Sequence, residues 1–186
     1  SRMEEKVKAR AAKLAAASHR KGKGQKGIAL TPLTRQFVTD GVNYEYVSVE
    51  IARAERRATI TVRGPKEAAP ADIAGMEKQG AHFWSLQMAR ELDDAIVHLR
   101  LNELDIGLWV FKTAGDSALV LGYDAFLEEN KAHWAVNEIR HFLKRVLKRI
   151  DVTSRTLIAL IEPGSCFAGT LAEIAFASDR AYMLSG

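Results

Sequence analysis

Apolar residues recur at helical spacing in two long stretches of the chain and alternate with polar ones in two shorter stretches. Phe83, Leu86, Ala89, Leu92, Ile96 and Leu99 keep a three- and four-residue rhythm that predicts a helix with one buried stripe, running to about Leu101. Val136, Ile139, Leu143, Val146, Leu147 and Ile150 repeat that rhythm over residues 132–150, with Arg140, Lys144, Arg145, Lys148 and Arg149 turned to water. Residues 44–51 and 58–62 alternate, are rich in Val, Ile, Thr and Tyr, and flank a short polar connection at 54–57, which predicts a hairpin. Residues 106–111 read as a short strand. The continuous apolar run at 156–161 predicts a strand covered on both faces in a parallel sheet. Hairpin, helix, strand, helix, strand and the start of a further helix make an α/β domain the expected class.

Ahead of these elements, Val7, Ala11, Leu14 and Ala15 mark a helix over residues 2–19. It gives way to Lys21-Gly22-Lys23-Gly24-Gln25-Lys26-Gly27, too polar and too glycine-rich to bury anything. The expected organisation is a leading helix at 1–20 from the end of a preceding domain, a linker at 21–43, and the domain proper at 44–186.

Composition narrows the classes. With 186 residues, 47% of them hydrophobic, the chain carries enough apolar material for one compact domain. Its single Cys closes no intramolecular disulfide and fits a reducing, cytoplasmic setting. No apolar run approaches the ~20 residues of a membrane helix. The net charge of +4 is unevenly spread: residues 1–27 hold nine Lys and Arg against Glu4 and Glu5, a surplus of 7, so residues 28–186 sum to −3. A nucleic-acid binder carries its positive field on the folded part, so no nucleic-acid partner is expected. No metal is expected either. Glu138 and His141 make one Glu-x-x-His motif where a dimetal carboxylate site needs two, and His133 and His141 lie about 12 Å apart along a helix, too far for one ion.

The segment able to carry chemistry follows the last predicted strand: Glu162-Pro163-Gly164-Ser165-Cys166-Phe167-Ala168-Gly169-Thr170, then Leu171-Ala172-Glu173-Ile174-Ala175-Phe176-Ala177-Ser178-Asp179. A strand, a loop of small residues and a helix start place backbone N–H groups where a developing negative oxygen can be held. Ser165, Cys166 and Gly169 are the candidate substrate-loop residues. Thr170-Leu171-Ala172-Glu173 also spells a capping box, in which Glu173 only closes a helix end. Cys166, without a histidine nearby in sequence, reads better as a buried packing residue than as a nucleophile.

These residues, in this order, resemble the first part of a crotonase (enoyl-CoA hydratase/isomerase) domain. The likeness rests on the hairpin ending in Arg63-Gly64-Pro65, on Glu91-Leu92-Asp93-Asp94-Ala95-Ile96, on Lys148-Arg149-Ile150-Asp151, and on Leu157-Ile158-Ala159-Leu160-Ile161-Glu162-Pro163-Gly164. The run from Gly169 to Asp179 is similar to the superfamily's Gly-Gly-Gly-x-Glu-Leu-Ala-x-Ala-x-Asp. More narrowly, residues 89–96, 102–104 and 161–170 resemble the second half of a group of tandem crotonase-like lyases that open the ring of benzoyl-CoA derivatives.

The resemblance implies a ββα-repeat sheet covered by helices, incomplete at its C-terminal end. It implies an oxyanion hole made by the N–H groups of Thr170 and of Leu121 in Leu121-Gly122-Tyr123-Asp124, with Glu173 as an acid/base carboxylate and a second carboxylate beyond Gly186. It implies that the chain is a portion of a lyase which cleaves the dearomatised ring of a dihydrodiol or epoxide of benzoyl-CoA with water, releasing formate and a ring-opened aldehyde thioester. Chemistry is then seated mainly in the other half, and this chain alone is inactive. The CoA thioester is substrate, no cofactor is required, and the partners are the remainder of the parent enzyme and further copies in a homo-oligomer. Two other readings stand beside it: a structural or dimerisation module without chemistry, and a general enoyl-CoA hydratase or isomerase.

Overall fold

A computed structural model describes residues 2–18 and 27–184. Its elements are α1 (Arg2–Ala17), β1 (Gln36–Val38), β2 (Gly41–Asn43), β3 (Val47–Ala52), β4 (Arg57–Arg63), α2 (Ile73–Gln79), α3 (Trp84–Asn102), β5 (Leu108–Ala114), α4 (Ser117–Glu129), α5 (Trp134–Asp151), β6 (Thr156–Ile161), α6 (Ala172–Phe176) and β7 (Arg180–Met183). The strands form one sheet in sequential order, antiparallel from β1 to β4 and parallel from β4 to β7. The expected α/β class is met, and the predicted hairpin is β3 and β4, paired from Val47↔Val62 to Ala52↔Arg57.

Both predicted helical stripes are the core. Phe83, Leu86, Ala89, Leu92, Ile96 and Leu99 are buried, as are Val136, Ile139, Leu143, Val146 and Ile150, with Leu147 packed against them. α3 lies on α5 and on β3 and β4.

Three expectations change. The linker predicted at 21–43 ends earlier, because residues 36–43 form β1 and β2 and extend the sheet by two strands; residues 19–26 lie outside the described residues. These strands are three residues long, too short to show a period, so composition alone hid them. Second, β6 is fully covered on one face and only partly on the other: Leu157 and Ala159 are buried, while Ile158 and Leu160 on the opposite face stay half-buried, as does Ile161 at the strand end. Parallel strands in sequential order joined by crossovers of one hand gather their helices on one face of the sheet. An unbroken apolar run therefore does not require two layers of helix. Third, two further helices, α2 and α4, are capped by Asp72, which accepts from Gly75 N at 2.8 Å, and by Asp116, which accepts from Ala118 N at 2.7 Å.

The conspicuous acidic run on α3 is structural. Glu91 is 2% exposed, and its carboxylate accepts from Tyr46 N at 2.7 Å, Val47 N at 3.1 Å and Gln87 Nε2 at 3.0 Å. Burial pushes its carboxyl pKa up, against the pull of these donors. Asp93 Oδ1 lies 2.6 Å from Arg149 Nε on α5. Asp94 accepts from Tyr44 Oη at 2.6 Å and from Arg35. One turn of helix thus ties α3 to the entry of β3, to α5 and to the strand edge.

Candidate functional site

The loop after β6 is built from its own turns. Ser165 N donates to Glu162 O and Glu162 N donates to Ser165 Oγ, both at 2.9 Å, with Gly164 at φ +83°. Ser165 is therefore the closing residue of a tight turn. Cys166 follows with no exposed surface: its N–H donates to Thr113 Oγ1 at 2.9 Å, and its Sγ packs beside Gly64 and Gly115, 3.3 and 3.6 Å from Cβ atoms built on them. Burial pushes the thiol pKa up. The packing role expected of Cys166 is what the geometry gives it. In the folded protein it is expected to react with a disulfide reagent at least ~100-fold more slowly than in denaturant, as stopped-flow absorbance would measure.

The decisive arrangement lies one turn further on. Thr170 N donates to Asp124 Oδ2 at 2.6 Å, and Thr170 Oγ1 donates to Asp124 Oδ1. Gly169 adopts φ +49°, and a Cβ placed on it would stand 1.9 Å from Asp124 Oδ2. A carboxylate from α4 thus occupies the position in front of the Thr170 amide where an anionic oxygen would have to sit. The capping box does not form: the Thr170 hydroxyl is turned to Asp124, and α6 has no side-chain cap. Glu173 lies exposed on α6.

Leu121 is separated from that role by its secondary structure. It is the fifth residue of α4, where a backbone N–H enters the helix's own i→i−4 ladder, and its half-exposed side chain reaches to 3.3 Å from a Cβ built on Gly169. As placed, neither Thr170 nor Leu121 presents an unengaged amide, so the expected pair of donors is not formed. What sequence reasoning passed over is the carboxylate of Asp124, a half-buried acid inside the very motif it singled out.

The last motif residue, Asp179, is structural as well: its carboxylate accepts from Leu157 N at 2.8 Å and its N–H donates to Leu157 O at 2.9 Å, fixing β7 beside the start of β6. Between α4, α5 and α6 lies a groove of about 680 Å³ lined by Asp124, Leu127, Leu143, Leu147, Glu173 and Phe176 among others, with Phe176 80% exposed. Among the described residues no cluster of three His, Cys, Asp or Glu is placed to hold a metal ion, and no helix is long and apolar enough to cross a membrane.

Comparison with known proteins bears on the whole chain. No family model matches it. It is 52% identical over 180 residues to benzoyl-CoA-dihydrodiol lyase of Aromatoleum evansii, a match that covers 97% of this chain. The chain is homologous to a part of that lyase. It spans 32% of the lyase's length. Solved structures of similar fold include an enoyl-CoA hydratase of Geobacillus kaustophilus, with TM-score 0.49 and 18% identity over 77% of this chain and 47% of that one. An enoyl-CoA hydratase/carnithine racemase of Magnetospirillum magneticum gives TM-score 0.49 and 15% identity over 76% and 47%. AtuE of Pseudomonas aeruginosa gives 0.48 and 18% over 75% and 48%.

Proposed function

We propose that these residues act within a CoA-thioester lyase that opens the dearomatised ring of a dihydrodiol or epoxide of benzoyl-CoA. Water is added, a carbon–carbon bond is cleaved, and formate and a ring-opened aldehyde thioester leave. The 52% identity to benzoyl-CoA-dihydrodiol lyase across nearly the whole chain is the observation that carries this reading. CoA arrives as part of the substrate, and the proposal calls on no metal, flavin or nicotinamide.

Within that enzyme we assign this segment a scaffolding role. Asp124 favours it: a carboxylate bonded to the Thr170 amide holds the loop folded and keeps a second anion out by charge repulsion. Incubating the protein with the benzoyl-CoA dihydrodiol or its epoxide and following formate release tests the lyase reading. The 186-residue chain alone is expected to give no turnover, and the lyase containing it is expected to release one formate per thioester opened. Turnover of crotonyl-CoA in place of the ring substrate would replace this reading with a general hydratase.

A further inference from the structure

A second concave surface adjoins the groove that Glu173 and Thr170 line, sharing Lys144 and Lys148 with it, but is lined by neither of those two residues. It is a depression of about 600 Å³ bounded by Arg100 on α3 and by His141, Lys144, Arg145, Lys148, Arg149 and Val152 on and just past α5. Among the described residues no carboxylate lines it. Two of its cations are answered from the rim, Lys148 by Asp151 and Arg149 by Asp93. The Arg145 guanidinium lies over the Phe142 ring, 5.6 Å from its centroid. Three full positive charges, on Arg100, Lys144 and Arg145, thus face one hollow with no acid in its lining, on a body whose residues 28–186 sum to −3.

Helix-end electrostatics explains only part of this. Cations favour a helix C-terminus within its last turn. That covers Lys148 and Arg149, and Arg100 at the end of α3, but not His141, Lys144 or Arg145, which lie one to two turns further back. Like charges gathered in a hollow repel one another, and the cost is relieved when an anion enters. Guanidinium forks beside ammonium groups match phosphate oxygens in number and geometry. An acidic polypeptide would need an extended contact with apolar anchors, and among the described residues the only apolar one in the lining is Val152.

We propose that this depression binds a compact phosphate polyanion, of the class of a pyrophosphate or a nucleoside diphosphate. The proposal does not rest on the lyase reading. Its test is calorimetric titration of the 186-residue chain with inorganic pyrophosphate at about 50 mM salt, where screening is weak. Saturable binding at one site per chain is expected, weakened at least tenfold in Lys144→Gln/Arg145→Gln and unchanged in Lys78→Gln, an exposed lysine on α2. Thermal melts of the variants, expected to match the parent, separate lost binding from lost folding. Absence of saturation, equal binding by the double variant, or tighter binding of hexaglutamate than of pyrophosphate would each overturn the proposal, the last in favour of an acidic protein partner.

Discussion

Replacing Glu91 by Ala is expected to lower the stability of the folded chain by about 3 kcal/mol, the range for removing one partner from a buried charged network. The carboxylate is the acceptor for two backbone N–H groups at the entry of β3 and for the Gln87 amide; without it Gln87 keeps its bond to Glu45 Oε2 at 2.9 Å, while the two backbone N–H groups lose their acceptor. Tyr46 N and Val47 N would be left where the chain turns from β2 into the hairpin, so the whole antiparallel edge loosens with them. Glu91→Gln keeps the shape and one acceptor oxygen and is expected to cost roughly half as much. Its pH dependence has a definite sign. Burial raises the folded-state pKa above the unfolded value, so the folded state holds a proton that the unfolded state has released. The Glu91 contribution to stability is therefore largest in acid and declines as pH rises from the ordinary carboxylate pKa through the raised one. Denaturant midpoints of wild type and Glu91→Gln at a series of pH values should converge as pH rises through that window, and a pH-independent difference or a divergence would exclude the carboxyl as its source.

Gly169→Ala is expected to be comparably severe, about 3 kcal/mol. Two effects add: an L side chain at φ +49° costs about 1 kcal/mol, and its Cβ would meet Asp124 Oδ2 at 1.9 Å, forcing that carboxylate off both Thr170 donors. Asp124→Ala alone removes the same two bonds and is expected to cost about 2 kcal/mol. The double variant Asp124→Ala/Gly169→Ala has no clash left, so its cost should fall short of the sum by about 1–2 kcal/mol. Chemical denaturation of the four proteins measures that coupling, and strict additivity would mean that Asp124 does not fill the space in front of Gly169.

The elements long enough to show a period were legible in the sequence. The stripe from Phe83 to Leu99, the stripe from Val136 to Ile150 and the alternation of β3 and β4 all fold as their spacing requires. β1 and β2 escaped because three residues carry no rhythm, and α4 because Gly122 in its middle reads as a break. The candidate site was legible only as a place. Sequence located the loop from Glu162 to Thr170, but which acceptor a backbone amide meets is decided by tertiary geometry. An aspartate 46 residues earlier in the chain supplies it. Asp124, Asp179 and Glu91 act as ties between elements in the fold. Short acids that accept from backbone N–H groups carry no sequence signal that separates them from catalytic ones.

Glu173→Gln in the lyase, assayed by formate release from the benzoyl-CoA dihydrodiol or epoxide, addresses the scaffolding role most directly. An exposed carboxylate that neither caps a helix nor faces an open amide predicts a turnover number within about twofold of wild type, whereas loss of a working acid or base lowers it about a hundredfold or more. A hundredfold fall with the melting temperature unchanged would return the chemistry to this segment.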